Sequence, residues 1–128
     1  MFKIATYVSK SEIHGLGVFS RENVPKGHLI WSFDPAFDNE LPKEFVDGLP
    51  WDLAHLVQTH AEYLHDREVF RLGNDNDIFM NHSSTPTLLD LGDQMVAAID
   101  IHPGAELTCD YRSVQVIAFS ACNVRAAA

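Results

Sequence analysis

A run of polar side chains follows directly on an apolar pair, and its residue types are ones that bind cofactors or catalyse reactions. Phe79 and Met80 precede Asn81, His82 and Ser83, which place an amide, an imidazole and a hydroxyl side by side. A serine hydrolase is a poor interpretation, because Ser83 lies in no Gly-x-Ser-x-Gly elbow. A glycosylation sequon also fits, but no secretory signal is recognisable. By itself the run fits equally well a plain loop after a short strand.

The histidines and cysteines do not form a metal-binding pattern. His55, His60 and His65 recur every five residues, about 140° apart on a helix, so they would not share one face. Residues 74–77 (Asn-Asp-Asn-Asp) lack the glycine and the final glutamate of a calcium loop and are better read as a turn. Cys109 and Cys122 match no zinc spacing and are too few for a disulfide framework. We therefore expect no metal and a reducing, intracellular location.

Negative charge is concentrated in one part of the chain. The formal net charge is −9, and the segment from Leu72 to Tyr111 contains no Lys or Arg. Its acidic residues are Asp75, Asp77, Asp90, Asp93, Asp100, Glu106 and Asp110. Such a segment repels nucleic acid and favours a cationic partner, although a merely soluble acidic surface would look the same.

The remaining pattern predicts one β-rich α+β domain over residues 1–128, which is long enough for its own hydrophobic core. Apolar residues at three- and four-residue spacings predict one principal helix after Trp51, with its stripe facing the core. That stripe comprises Leu53, Leu56, Val57, His60, Ala61 and Leu64. The helical part is predicted at about 42–66 and a tail at about 113–128. No apolar run approaches eighteen residues, so no membrane span is expected.

Short strands are predicted around the helix from β-branched and apolar runs that end at Gly or Pro. They cover residues 3–8, 18–20, 29–33, 68–72, 78–80, 94–101 and 106–111. The first third of the chain is therefore expected to be all strand.

Three segments, in this order, resemble the motifs of the SET domain, a family of protein lysine methyltransferases. Residues 14–19 (His-Gly-Leu-Gly-Val-Phe) resemble its N-terminal Gly-x-Gly motif, and residues 81–83 (Asn-His-Ser) its central motif. Residues 104–111 (Gly-Ala-Glu-Leu-Thr-Cys-Asp-Tyr) resemble its Gly-Glu-Glu-Leu-Thr-x-x-Tyr motif. The resemblance runs from about Lys3 to Tyr111. It implies several short sheets with a knot-like crossing and one principal inserted helix.

The resemblance also implies S-adenosylmethionine as cofactor and S-adenosylhomocysteine as product, with the ε-amine of a lysine as methyl acceptor. The cofactor-binding residues carried over by motif are His14, Gly15, Leu16, Gly17, Asn81 and His82. Tyr111 matches the family's terminal tyrosine and is the catalytic candidate, whose hydroxyl would orient the amine. Cys109 and Tyr63 are candidates for the lysine channel, with simple packing equally open for Tyr63.

Transfer requires a neutral amine, and this requirement predicts how the channel should be lined. Apolar and aromatic walls favour the uncharged form, whereas a nearby carboxylate would hold the proton on. We therefore expect the channel to be apolar and place Asp75, Asp77, Asp90 and Asp93 at its rim, where they would attract a basic protein or peptide. A histone, a nucleoid protein or a ribosomal protein would fit, and a histone would imply the nucleus of a host rather than the cytoplasm.

Two departures from the family pattern shape the expectations. Ser84 stands where many members have a zinc-binding cysteine, and Thr87 stands where many have asparagine. We therefore expect no structural zinc, and expect residues 114–119 or a second subunit of a homodimer to close the channel. The departures also leave an alternative function, a non-catalytic SET-fold module that only binds partners.

Overall fold

Short strands dominate the computed structural model of the chain, which describes residues 1–112. The strands are β1 (Thr6–Lys10), β2 (Leu16–Ser20), β3 (Leu29–Ser32), β4 (Asn39–Pro42), β5 (Glu62–Leu64), β6 (Val69–Leu72), β7 (Asn81–His82), β8 (Leu88–Asp90), β9 (Gln94–Ala97) and β10 (Glu106–Cys109). The helices are α1 (Lys43–Asp47), α2 (Trp51–His60) and a 3₁₀ helix (Asn76–Phe79). The β-rich α+β class predicted from the sequence is confirmed. The predicted tail, 113–128, lies outside the described residues, as do Cys122 and the segment 114–119.

The strands form three small sheets, and one sheet contains all three sequence motifs. Its strand order is β1-β2-β10-β7. Strand β10 pairs antiparallel with β2 and parallel with β7, with Thr108 opposite Asn81 and Cys109 opposite His82. Segments that are far apart in sequence therefore lie side by side. The threading of one segment through the other remains a prediction.

The other two sheets each build a separate hydrophobic core. The order β3-β9-β8 belongs to the larger core, which contains Val18, Ile30, Trp31, Met80, Leu88, Met95, Ile101, Leu107, Cys109 and Tyr111. The order β4-β6-β5 belongs to a smaller core of Val46, Val57, Ala61, Tyr63 and Phe70. The motif sheet and the larger core therefore form one body, and the helices cover the smaller core.

The principal helix is shorter and more exposed than its apolar pattern predicts. It ends at His60, because Ala61 is already extended and the chain enters β5, which pairs with β6. Val57 and Ala61 are buried, but Leu53 and Leu56 remain 48% and 49% exposed. The prediction that the whole stripe faces the core is therefore wrong. The sheet beneath it has only three short strands, and these cannot cover so wide a face.

The segment before Asn81 is a 3₁₀ helix instead of the predicted strand. Asp75 precedes it, and its carboxylate accepts a hydrogen bond from the backbone N–H of Asp77 at 3.0 Å. This side-chain cap starts a helical turn, which the backbone N–H of Met80 closes by donating to the carbonyl of Asp77 at 3.1 Å. A local acidic cap thus outweighs the strand preference of Ile78 and Phe79.

Candidate active site

The side chain of Asn81 links the first and last motifs by hydrogen bonds. Its side chain is 1% exposed, and its Nδ2 donates to the carbonyls of His14 (3.0 Å) and Leu16 (3.1 Å) and to Glu106 Oε2 (3.0 Å). These contacts hold the glycine-containing turn against β10. The amide group of Asn81 therefore fixes the shape of this turn, and the direct cofactor contact implied by the resemblance stays a prediction.

Ser11 and Glu106 complete the same network. Ser11 Oγ donates to the Glu106 carboxylate, 2.8 Å from Oε1 and 2.9 Å from Oε2, and accepts the backbone N–H of Ile13 at 2.9 Å. A Cβ at Gly17 would lie only 2.5 Å from Glu106 Oε2. Gly17 is therefore required by the close approach of this carboxylate. Ser11 and Glu106 were missed as site residues, although Glu106 stands inside the third motif.

Gly15 lies at the exposed tip of the segment formed by residues 11–17, which we call the 11–17 loop. Its φ of +48° falls in the left-handed region, which glycine adopts without steric cost. A Cβ built there would meet nothing within 4 Å. His14, Gly15 and Leu16 therefore present exposed backbone beside open space, whereas Gly17 is buried.

His82 and Tyr111 meet beside this network. Their ring centroids are 5.5 Å apart, and the backbone N–H of Tyr111 donates to His82 Nδ1 at 3.1 Å. An Nδ1 that accepts a hydrogen bond cannot carry a proton, so the ring proton lies on Nε2. Asp110 Oδ1 is 3.8 Å from the same Nδ1, too far for a hydrogen bond. The contact between Asp110 and His82 is therefore a close approach and not an ion pair.

The direction of the Tyr111 hydroxyl is fixed by the backbone of Met80, which directly precedes β7. The hydroxyl donates to the carbonyl of Met80 at 2.6 Å, and the ring is 4% exposed. A hydroxyl that donates its proton still has lone pairs that accept. The phenol oxygen is thus held at one position, where it could accept a hydrogen bond from an amine.

A cavity of about 70 Å³ opens beside Tyr111. We call it the Tyr111 cavity. Its walls come from β3, the end of α2, β5, β6, the 3₁₀ helix, β9 and the third motif: Trp31, Thr59, His60, Glu62, Arg71, Gly73, Asp77, Ile78, Met80, Met95, Cys109 and Tyr111. The predicted channel residues Cys109 and Tyr111 are therefore together. Tyr63 is not among the lining residues, because it points into the smaller core, where its ring lies 4.8 Å from that of Phe70.

The Tyr111 cavity is more polar than an apolar channel would be. Burial, with smaller contributions from the charges of Asp90 and Asp93, raises the pKa of Glu62 to about 7. Burial, followed by the neighbouring Asp75 carboxylate, also raises the pKa of Asp77 to about 7. The prediction of purely apolar walls is therefore wrong, and Asp77 lies in the wall instead of at the rim.

Arg71 supplies the positive charge of this wall. Its guanidinium pairs with Glu40 at 3.1 Å and Asp93 at 2.9 Å, and it lies over the ring of Phe33 at 4.1 Å. Its side chain is 3% exposed, and Nη1 has no hydrogen-bond partner within residues 1–112. No sequence pattern singles out Arg71, because it lies outside all three motifs.

The described residues contain neither a metal-binding cluster nor a membrane-spanning helix. Within residues 1–112, no group of three or more His, Cys, Asp or Glu side chains is arranged to hold a metal ion. None of the helices in that range is long and apolar enough to cross a bilayer.

Comparison with known proteins gives the class of this fold. The SET domain family model matches residues 15–112, which contain the last three residues of the 11–17 loop, Asn81, His82 and Tyr111. The chain therefore belongs to the SET domain family. No curated protein sequence matches it at a significant level.

Solved structures agree with the family. A histone methyltransferase candidate of Plasmodium falciparum is 21% identical, with a TM-score of 0.59, and the match covers 85% of this chain and 94% of that one. A humanized mutant of the Chaetomium thermophilum Polycomb Repressive Complex 2, bound to an inhibitor, is 16% identical with a TM-score of 0.65. That match covers 87% of this chain and 15% of the Chaetomium chain. At such low identity these likenesses show the shared fold.

Proposed function

We propose that this protein transfers a methyl group from S-adenosylmethionine to the ε-amine of a lysine in a basic protein. The observation that carries the proposal is the meeting of the Gly15 turn, His82 and Tyr111 through the parallel pairing of β7 with β10. That pairing brings Cys109 and Tyr111, which line the Tyr111 cavity, next to the segment whose Asn81 side chain holds the 11–17 loop.

The residues on the loop side fit the cofactor. The backbone at His14, Gly15 and Leu16 is exposed, and at Gly15 it borders space that no side chain of residues 1–112 fills, so an adenosine-sized ligand could approach the main chain closely. His82 carries its ring proton on Nε2, which makes this nitrogen a donor for a polar atom of the ligand. The bound cofactor would supply an electrophilic methyl group. Asn81, Ser11 and Glu106 act through the loop, whose shape they hold.

The chain's own contribution to the reaction is alignment. Tyr111 presents a fixed phenol oxygen, and an amine N–H donated to that oxygen directs the nitrogen lone pair away from it. Cys109 lines the same cavity and has a small side chain where the family often has an aromatic ring. We propose that this leaves room for an amine that already carries a methyl group.

The charge around the Tyr111 cavity supports a basic substrate. Glu62 lines the cavity, and Asp90 and Asp93 act on its charge. A cationic segment of a partner protein would be attracted to this side by long-range electrostatics. The same negative field disfavours nucleic acid as the direct ligand.

The departure at Thr87 is compatible with this function, because Thr87 keeps the motif in place. Its Oγ1 donates to the carbonyl of Glu106 at 3.1 Å and accepts the backbone N–H of Thr108 at 2.9 Å. The side chain that replaces asparagine therefore still joins this segment to β10.

The test is labelled methyl transfer to a pool of core histones and total ribosomal protein, followed by mass spectrometry of the products. We expect the wild type to label at least one lysine. Tyr111→Phe should lose about 100-fold or more of the rate, since small misplacements cost that much. Tyr7→Phe is the matched control, because Tyr7 stacks on Phe19 in the β1–β2 hairpin, and it should keep full activity.

Two outcomes would contradict the proposal. Calorimetry that detects no binding of S-adenosylmethionine at high micromolar concentration would exclude cofactor-dependent transfer. Binding of cofactor without transfer to any protein in the pool would instead favour the non-catalytic binding module.

A further inference from the structure

Asp77 has an unusual place in the wall of the Tyr111 cavity. Its Oδ2 accepts the indole N–H of Trp31 at 2.8 Å. Its Oδ1 is buried and has no hydrogen-bond partner within the described residues, 1–112. A buried acceptor without a donor carries a desolvation cost that a bound ligand could offset. Asp77 Oδ1 could therefore accept a hydrogen bond from a bound ligand, because residues 1–112 supply no donor for it.

Gly73 is the reason this carboxylate fits. A Cβ at Gly73 would lie within about 2 Å of both carboxylate oxygens of Asp77, well inside any real contact. Gly73, Trp31 and Asp77 all line the cavity, so the carboxylate lies in the wall between the other two. A side chain at position 73 would push the carboxylate away from this position.

Two carboxylates line the cavity, Glu62 and Asp77, and of these Asp77 has the buried oxygen without a hydrogen-bond partner within residues 1–112. Arg71 is already paired with Glu40 and Asp93. The pKa of Asp77 is raised to about 7 mainly by burial, with Asp75 adding to the effect, and no cationic side chain within residues 1–112 forms an ion pair with it. A cation that entered the cavity would therefore find a carboxylate without a salt-bridge partner.

We propose that Asp77 is a substrate-binding residue of the methyl-acceptor channel, whose Oδ1 accepts a hydrogen bond from the ε-ammonium group of the incoming lysine. The inference rests on the proposed function and adds how the site selects a cationic side chain. Asp77 holds the ammonium as it enters, and Tyr111 orients the amine once it has lost its proton to solvent. Recognition and alignment thus belong to different residues.

The test separates binding from chemistry. In Asp77→Asn the remaining amide oxygen can still accept the Trp31 N–H, so the fold is expected to persist, while the negative charge is lost. We expect KM for the methyl-accepting protein to rise about 10- to 100-fold, the value of a charged hydrogen bond, with kcat changed less than about threefold. Gly73→Ala should raise KM in the same direction by displacing the carboxylate.

Asp66→Asn is the matched control. It removes the same charge from an exposed turn outside the cavity, and KM should stay within about twofold of the wild type. Thermal melting of each variant shows whether it is folded. If Asp77→Asn does not fold, the KM of Gly73→Ala tests the same role of Asp77.

The possible failures are distinguishable. A folded wild type that methylates nothing removes the proposed function and this inference together. An active wild type whose KM is unchanged in both Asp77→Asn and Gly73→Ala removes only the role of Asp77. A fall in kcat at unchanged KM would also overturn it, since it would place Asp77 in the chemical step.

Discussion

On the loop side of the site, Ser11, Asn81 and Glu106 satisfy one another's polar atoms. On the cavity side, Arg71 and Asp77 each keep a buried polar atom without a hydrogen-bond partner among residues 1–112. The first arrangement is what a protein needs to hold a loop rigidly, because each buried donor and acceptor is paired. The second costs stability, and such a cost is common where a protein is shaped for a ligand.

The two regions also differ in where their residues come from. The loop side is built mainly from the three motifs, with Ser11 just outside them, whereas the cavity walls come largely from segments between the motifs, such as Trp31, Arg71 and Asp77. We therefore propose that the motif residues hold the cofactor side of the site while the intervening segments shape the acceptor channel. The following experiments test this division.

The largest effect is expected from Asn81→Ala, which removes the donor shared by the carbonyls of His14 and Leu16 and by Glu106. Three partly buried acceptors would lose a partner, and the loss should destabilise the fold by about 3–5 kcal/mol in urea unfolding. Affinity for S-adenosylmethionine should fall with it.

Asn39→Ala provides the comparison, since Asn39 is exposed at the start of β4 and should change the unfolding free energy by less than about 0.5 kcal/mol. Equal destabilisation by the two substitutions would show that the loop does not depend on Asn81.

Substitutions at Gly15 and Gly17 should lower the free energy of unfolding for different reasons. Gly17→Ala forces the Glu106 carboxylate out of its position, because the new Cβ would lie 2.5 Å from Oε2, and should cost about 2–3 kcal/mol in urea unfolding. Gly15→Ala meets no atom but holds φ at +48°, which costs about 1–2 kcal/mol.

Asparagine separates the two mechanisms, since it tolerates the left-handed region better than alanine. Gly15→Asn should therefore recover part of the stability lost in Gly15→Ala, whereas Gly17→Asn should be no better than Gly17→Ala. The reverse pattern would mean that space matters at Gly15 and conformation at Gly17.

The sequence motifs predict the residues of the loop side better than those of the cavity side. The motifs predicted that Asn81, His82 and Tyr111 would lie close to Gly15, because a local pattern there has a fixed structural meaning. Nothing local marks Arg71 or Trp31, whose neighbours are set by sheet pairing between distant segments. Tyr63 and Leu53 show the same limit, since their apolar character does not say which of two cores, or solvent, they face.

The dependence of stability on pH should come from the cavity side. The pKa values of Glu62 and Asp77 are about 7 in the folded protein, against ordinary values near 4 in the unfolded chain. The folded state therefore binds these protons more tightly, so the free energy of unfolding falls as pH rises from about 4 to about 7. Between pH 5.5 and pH 8 the loss should be on the order of 1–2 kcal/mol per group.

Asp77→Asn isolates one of the two groups. The variant should melt closer to the wild type at pH 5.5, where Asp77 is largely protonated, and gain stability relative to it at pH 8. Melting curves at both pH values measure the difference. A gap that is the same at pH 5.5 and pH 8 would show that Asp77 does not titrate in this range.

The smallest effect is expected at the surface, where Arg112 holds the Asp110 carboxylate. The hydrogen bonds and charge of Arg112 lower the pKa of Asp110 to about 2, and the stabilisation is present above pH 4 and lost as pH falls through about 2. Because Arg112 is exposed and the pair is open to solvent, Arg112→Gln should leave the melting temperature at pH 7 unchanged within error. An NMR titration should show the pKa of Asp110 rising toward its ordinary value, while the hydrogen bond from Tyr111 to His82 persists. If the Tyr111 amide signal shifts as much in Arg112→Gln as it does in His82→Ala, the Asp110–Arg112 pair and the His82–Tyr111 contact are coupled. The surface and the buried site would then not be independent.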